Sequence, residues 1–365
     1  VSAVFAELSA PLAKGLELQA AVRYAQYQVS GSAVSPKLGL KYVPFKELLL
    51  RGSVGAGFRA PSMTDLYRPL TAGSSATVTD PVCLDADPDN TVTDCSDLWT
   101  TFNYSNPALK PEKSRQLSFG AVLEPRPGLS LSADFWRVEK RNLISTLGVD
   151  VILANLDKYG SLVHRYSDPE QDPDSDFMRE CGDYLDPDDY EICYIDLVKQ
   201  NRGKQIISGM DLGLSLTRID TGFGRFGVRL NGTWTLQSKQ QLGDGDPYVS
   251  NLGHFVNDGV VQRWRHTLAL DWERGPFNAT LVNSYLSGYK DQTIIGKPDR
   301  RVAAYTLWDM SAGWDVTQAL SLRAGVKNLF DTPPPFSQQA WFFLSGYDPS
   351  YTDPRGRFFF ASVNY

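Results

Sequence analysis

What most constrains this chain is a period-two alternation of apolar and polar residues, held over segments of about 10 to 15 residues. In 262–273, Trp264, His266, Leu268, Leu270 and Trp272 fall on one face, opposite Arg263, Arg265, Thr267, Ala269, Asp271 and Glu273. In 305–316, Thr306, Trp308, Met310, Ala312, Trp314 and Val316 oppose Tyr305, Leu307, Asp309, Ser311, Gly313 and Asp315. In 15–24, Leu16, Leu18, Ala20, Val22 and Tyr24 oppose Gly15, Glu17, Gln19, Ala21 and Arg23. Successive side chains of a strand point to opposite faces, so each segment carries one apolar and one wet face. The segments are longer than the roughly 5–6 residues of a globular strand. They suit a tilted membrane strand of roughly 9–11 residues with an extension beyond it. Apolar runs such as Phe358-Phe359-Phe360-Ala361 fall far short of the roughly 18 residues a membrane helix needs. Lipid then leaves only the closed barrel, in which every backbone group is paired. The expected fold class is therefore all-β, an antiparallel transmembrane β-barrel. The 17 Tyr, 18 Phe and 8 Trp suit the aromatic girdles of such a barrel. Val1-Ser2-Ala3-Val4-Phe5-Ala6 already alternates, so the chain is expected to open inside a fold.

About thirteen strands can be counted across residues 1–365, and the connections between them alternate in length. Short ones hold Pro11-Leu12-Ala13-Lys14, Pro44-Phe45-Lys46-Glu47, Glu124-Pro125-Arg126-Pro127-Gly128, Asp220-Thr221-Gly222-Phe223-Gly224, Arg274-Gly275-Pro276 and Thr317-Gln318-Ala319. Long ones cover roughly 59–114, 145–203, 239–261, 291–302 and 331–356, and the connection near Ser30-Gly31-Ser32 is a brief exception on the long side. Outer-membrane barrels keep short periplasmic turns and longer extracellular loops, which orients the chain. All 4 Cys lie in long loops, spaced twelve apart as Cys83 with Cys95 and Cys181 with Cys193. Neither pair has metal spacing, so two local disulfides in an oxidising compartment are expected, although four Cys allow three connectivities.

A net charge of -6 argues against nucleic acid as a partner. Gly55 and Gly57 lie in a strand without the third glycine or the following helix of a nucleotide cradle. His164, His254 and His266 form no H-E-x-x-H pattern, and no G-x-S-x-G or paired-carboxylate signature is present. The expectation is a protein that is not an enzyme and holds no cofactor. The acidic loop 168–191 places Asp172, Asp174 and Asp176 at calcium-loop spacing, without the glycine and bidentate Glu of an EF-hand. Its alternative reading is a solvated loop. Two aromatic clusters are candidate ligand platforms: Trp99, Phe102 and Tyr104, and Trp341, Phe342, Tyr347 and Tyr351. Their alternative is packing of the loops on themselves.

Several segments resemble the TonB-dependent outer-membrane receptor family. Leu50 to Tyr67, with Gly57-Phe58-Arg59-Ala60-Pro61-Ser62 and Leu66-Tyr67, is similar to that family's strand ending in G-F-R-A-P-S and an L-Y pair. Asn106-Pro107-Ala108-Leu109-Lys110-Pro111-Glu112-Lys113-Ser114 resembles its N-P-x-L-K-P-E-K-S segment. Asn328-Leu329-Phe330-Asp331 resembles the N-L-F-D near its penultimate strand, and Asp353-Pro354-Arg355-Gly356-Arg357 the approach to its last. Phe359, Ala361, Val363 and the terminal aromatic Tyr365 resemble the signal read by the barrel-assembly machinery. The resemblance implies the C-terminal strands of a 22-stranded barrel, in the outer membrane of a Gram-negative bacterium, with the plug domain absent from this sequence. It also implies TonB as a partner through that N-terminal region, outer-membrane lipid around the barrel, and a small nutrient ligand. The commonest cargo of the family is a ferric siderophore, with oligosaccharide, cobalamin and peptide open. A passive porin-like or adhesion barrel is the reading from another class.

Overall fold

The computed structural model describes the chain except residues 30, 167–190, 242, 244, 257–258, 294–296 and 339–344. Four long strands come first: β1 (Ser2–Ala13), β2 (Leu16–Tyr27), β3 (Gly31–Phe45) and β4 (Leu48–Arg59). The chain then leaves the sheet through α1 (Met63–Tyr67), β5 (Thr71–Thr79), α2 (Pro81–Ala86) and β6 (Ser96–Tyr104). It returns as β7 (Glu112–Arg126) and β8 (Leu129–Ser145). A second excursion holds α3 (Val149–Leu153), α4 (Leu156–Tyr159), β9 (Val163–Arg165) and β10 (Ile192–Val198). The strands β11 (Gln200–Thr221) and β12 (Gly224–Gln241) follow, then the short β13 (Val249–Ser250). After β14 (Trp264–Arg274) and β15 (Phe277–Leu286) come the short β16 (Tyr289–Lys290) and β17 (Arg301–Val302). The chain finishes with β18 (Tyr305–Asp315), β19 (Ser321–Lys327) and β20 (Phe358–Asn364).

Thirteen strands pair neighbour to neighbour, in the order β1-β2-β3-β4-β7-β8-β11-β12-β14-β15-β18-β19-β20, with β13 added beside β12. Every pairing on this path is antiparallel. No helix among the described residues is long and apolar enough to cross a membrane. The register turns the sequence alternation into two surfaces. On one, Leu123, Leu131, Leu214, Leu230 and Leu268 stand side by side on five neighbouring strands. On the other, Gly120, Asp134, Asp211, Thr233 and Arg265 stand side by side on the same five. The apolar face stays uncovered: Leu38, Val54, Phe119, Met310, Phe359 and Val363 are all exposed. A water-soluble domain rarely leaves so continuous an apolar band, whereas a barrel gives it to lipid.

Short turns close one edge of the sheet. Gly15 and Gly128 take φ of 76° and 85°, where a Cβ would meet Val43 O at 2.3 Å and Thr217 O at 2.7 Å. Those two carbonyl-side approaches belong to bridges from Val43 N to Gly15 O and from Thr217 N to Gly128 O, each 2.7 Å. The five long excursions all leave from the opposite edge. Sequence periodicity suggests bare loops there, but the first two excursions build a second sheet in the order β5-β6-β10-β9. Its central pair, β6 with β10, is parallel and joins residues about ninety apart, as in Ile195 opposite Thr101. Its core gathers Trp99, Leu147, Ile152, Leu153, Tyr159, Val163, Ile192 and Ile195. Asp80, 1% exposed, takes both guanidinium nitrogens of Arg165 at 2.6 and 2.9 Å and caps α2 through Val82 N. This ties the first excursion to the second. The expected Cys83–Cys95 disulfide is present beside that clamp. Cys193 is disulfide-bonded, and its expected partner Cys181 lies outside the described residues.

The turn after β19 rests on one side chain. Asn328 has φ 51° and is buried, with Nδ2 donating to Thr332 O and Oδ1 accepting from Thr332 N. Asp331, φ 55°, accepts from Arg357 N and so sets the approach to β20. Asn328→Ala should therefore cost about 1–3 kcal/mol, because it leaves two backbone groups unpaired and a left-handed backbone without its preferred residue. Asn328→Gly should recover only the backbone part. Thermal unfolding of the detergent-solubilised receptor checks this, and a wild-type midpoint for Asn328→Ala would contradict it.

Candidate functional site

The excursions enclose a concavity of about 610 Å³ beyond the long-loop edge of the sheet. Four of them contribute: the β5 stretch Ser74–Val78, the β8-to-α3 corner Thr146–Asp150, Gln240 at the end of β12 with Phe255 beyond it, and Gln292. Its lining mixes hydroxyls and amides with apolar side chains such as Val78, Leu147, Leu197 and Phe255, and Asp150 and Lys199 are the charged residues among those that line it. A volume of this size accommodates a small organic ligand. A second concavity of about 710 Å³ lies along the polar wall of the sheet, with Arg51, Asp134, Asp211, Thr233 and Arg265 around it. Arg51 donates from Nε and Nη2 to the two Asp134 oxygens at 2.7 and 2.6 Å. Thr233 donates to Asp211 at 2.8 Å, and Arg229 with Thr280 holds Asp271. Asp134, Asp211 and Asp271 on this wall are therefore held in place by their neighbours. Gly120 makes the Arg51 pair possible, since a Cβ there would lie 2.1 Å from Asp134 Oδ1.

The residues of the two sequence motifs meet at the root of the vestibule. Arg59, last in β4, donates from Nε and Nη2 to Glu112, first in β7, at 2.8 and 2.6 Å. Glu112 Oε1 also accepts from Ile144 N of β8 at 2.8 Å. Ser62 and Asp65 form a reciprocal capping box on α1, and Asp65 pairs with Lys199, which sits between β10 and β11. Asn106 Nδ2 donates to Lys199 O, and Asn106 N donates to Asp65 O. Asn201 and Lys110 exchange two further bonds, Lys110 N donating to Asn201 Oδ1 and Asn201 Nδ2 to Lys110 O. These contacts clasp the first two excursions onto the strand ends that carry the vestibule. Burial alone pushes the Asp65 carboxyl up, but the Lys199 ammonium and the Ser62 hydroxyl and amide outweigh it and hold the group at about 2.

The aromatic candidates divide. Trp99 is buried in the core of the second sheet, with its indole N–H given to Val78 O at 2.9 Å. Phe102 packs with Cys193, Tyr194 and Tyr104. Tyr351 packs edge-on against Tyr289 at 5.9 Å between ring centroids. Tyr347 is half-buried, while Trp341 and Phe342 lie outside the described residues, as do Asp172, Asp174 and Asp176. Among the described residues no group of three or more His, Cys, Asp or Glu is placed to hold a metal ion. Sequence reasoning missed Arg59, Asp65, Glu112 and Lys199 as one cluster. Its signal was present in the motifs, but the pairing across excursions was not.

Comparison with known proteins fits this geometry. The family model described as "TonB dependent receptor-like, beta-barrel" matches residues 1–329. No curated protein matches the sequence significantly. Among solved structures, a mutant of the ferric enterobactin receptor PfeA from Pseudomonas aeruginosa in complex with enterobactin superposes with a TM-score of 0.69 at 18% identity, over 99% of this chain and 44% of that one. The siderophore receptor PirA from Acinetobacter baumannii gives 0.66 at 16% identity, over 100% and 45%. The copper transporter OprC gives 0.57 at 15% identity, over 100% and 47%. This chain thus spans less than half the length of the structures it resembles.

The Asp65 clasp carries a pH signature. A carboxyl held at about 2 in the folded protein and near 4 in an unfolded chain stabilises the fold fully above about pH 4. That contribution is lost as pH falls from about 4 through about 2. Denaturant titrations of the receptor between about pH 6 and pH 2 should show this decline, and Asp65→Asn should flatten it while lowering stability at neutral pH. An unchanged pH profile in Asp65→Asn would contradict the clasp.

Proposed function

The chain belongs to the TonB-dependent receptor β-barrel family, and on that premise we propose that it serves TonB-dependent uptake of a scarce nutrient, with a ferric siderophore as cargo. The family is one of outer-membrane receptors and transporters. The observation that carries the reading is the vestibule: four excursions, clasped at their root by the motif residues, enclose a chamber lined by hydroxyls, amides and apolar side chains, and the strands below carry a wall of charged residues. Its hydroxyls and amides suit a chelate that presents carbonyl and phenolate or hydroxamate oxygens. PfeA and PirA, whose barrels this one resembles, are receptors of that ligand class by name, which supports the choice of cargo.

In this reading the chain works within a receptor of the length of those structures. A plug closes the barrel, and TonB, driven by the proton gradient of a Gram-negative cell, releases the bound ligand inward. Recognition is shared between the vestibule and the late loop that carries Trp341, Phe342, Tyr347 and Tyr351. The acidic triplet Asp172, Asp174 and Asp176 is a candidate for weak divalent-cation binding at the mouth. The strand Phe359, Ala361, Val363 and Tyr365 is the stretch offered to the barrel-assembly machinery.

Uptake of radiolabelled ferric siderophores by iron-limited cells tests the proposal. Deleting the gene should abolish uptake of at least one chelate, and collapsing the proton gradient should do the same in the wild type. Trp341→Ala with Tyr347→Ala should weaken uptake about tenfold, the loss of roughly 1.4 kcal/mol of binding. Undiminished uptake after dissipating the gradient would point instead to a passive pore.

A further inference from the structure

Away from the vestibule, the barrel wall is left unjoined at one place. β3 and β4 pair from their turn up to Lys37 opposite Gly55, and no further pair forms between them among the described residues. Both strands nevertheless run on toward the long-loop edge, as residues 31–36 of β3 and 56–59 of β4. Their other edges stay joined over the same stretch. β2 pairs with β3 as far as Tyr27 opposite Gly31, and β4 pairs with β7 as far as Arg59 opposite Glu112. The wall is therefore parted between two intact ladders.

The sequence supplies the cause. Val43 N donates to Gly15 O, which turns the backbone groups of odd-numbered β3 residues toward β2. That register runs unshifted to Gly31, so the even-numbered residues present theirs to β4. Pro36 is one of these, and it stands at the first position beyond the last pair, where it has no N–H to give. For this reason proline is confined to edge strands and bulges within sheets, and beyond it β3 becomes an edge strand inside the wall. Continued at the same register, Pro36 would face Ala56 and Val34 would face Phe58. A recess of about 710 Å³ in the outward face reaches Pro36, Lys37, Gly55 and Ala56, the residues at the point of parting. Across the gap the rings of Tyr27 and Phe58 meet edge-on, with centroids 5.6 Å apart and planes at 85°. The two sides are held unequally. Arg59 ties the end of β4 to Glu112, whereas the β2–β3 hairpin ends in a brief turn, and a Cβ on Gly31 there would meet nothing within 4 Å.

We propose that this seam is a gate in the barrel wall, in which the long-loop ends of β2 and β3 swing away from β4 about Pro36, with the Tyr27–Phe58 contact as its latch. Opening breaks no β3–β4 ladder pair beyond Lys37 and Gly55, because none is made there, and it gives up the ring contact. The backbone groups of Ser32, Val34, Ala56 and Phe58 that face the gap take water, which hydrocarbon cannot supply, so the seam is wetted from the lumen. β4 is the fixed post and the hairpin is the moving leaf. β1 follows β2, to which it is paired up to Ser2 opposite Gln26. When the leaf swings out, the mouth of the barrel widens beside the Arg59 clasp and the lumen gains a side opening. The device belongs to the wall and does not depend on which nutrient is carried.

Paired spin labels on the full-length receptor in a lipid bilayer test the gate, read by dipolar broadening. Among the described residues no native cysteine is free to compete for label. Val34→Cys with Ala56→Cys spans the seam. Leu40→Cys with Leu50→Cys spans the joined ladder, at the same offset and on the same outward face. The joined pair should give one short separation. The seam pair should give that separation and a second one, longer by about 5 Å or more, one strand spacing. Tyr27→Ala should raise the share of the longer separation, and Pro36→Val, which returns the missing N–H, should remove it. Heat-modifiable gel migration reports that each variant is folded. A single short separation at the seam in the otherwise native receptor would overturn the proposal. So would a longer separation that persists in folded Pro36→Val, an unchanged share in folded Tyr27→Ala, or an equal share of longer separations at the joined pair.

Discussion

Everything in this structure follows from one requirement: a backbone that crosses lipid must pair every amide with a neighbouring strand, because hydrocarbon offers no alternative partner. Eleven of the thirteen strands on one path pair along both edges, and β1 and β20, at its ends, pair along one edge each among the described residues. The pleat then does the rest. Since side chains alternate, a single register assigns Leu268 to lipid and Thr267 to the lumen, and the same assignment passes from strand to strand. A slip by one residue on any strand would send its charges into lipid, so the register is strongly specified.

The requirement also explains where function collects. The strands are committed to pairing and to the two surfaces, and the connections at the long-loop edge are the ones that grow. They grow into a small folded unit of their own. Its parallel β6–β10 pair and its buried Asp80–Arg165 clamp hold two excursions together, and its disulfide staples the first of them. The Arg59–Glu112 and Asp65–Lys199 pairs then anchor that unit to the barrel strands. The recognition proposed for these excursions would rest on that clasped rim, as binding sites on loops generally need.

Strands, parity and the family resemblance were legible because they are local: alternation and short motifs need no knowledge of distant residues. The same locality explains what was not legible. Val163, Ile192 and Ile195 read as parts of a long loop, because the strand that buries them, β6, comes from an excursion about ninety residues earlier. Trp99 and Phe102 stood out as loop aromatics that could either stack on a ligand or pack within the loops, and the second sheet buries both. Arg59 and Glu112 were visible as motif letters, but their bidentate pairing depends on the β4–β7 register, which skips two intervening strands.

The most direct test of the alternation is site-directed spin labelling along β7 of the receptor in a lipid bilayer. Labels at Leu117→Cys, Ser118→Cys and Phe119→Cys should alternate, with the first and third relaxed by oxygen dissolved in the hydrocarbon and the second by a water-soluble nickel chelate. That result would place consecutive residues of one strand in lipid and lumen, as the pairing of Leu117 with Arg137 and Ser118 with Trp136 requires. Uniform accessibility to the aqueous relaxant at all three positions would contradict a membrane-spanning barrel wall.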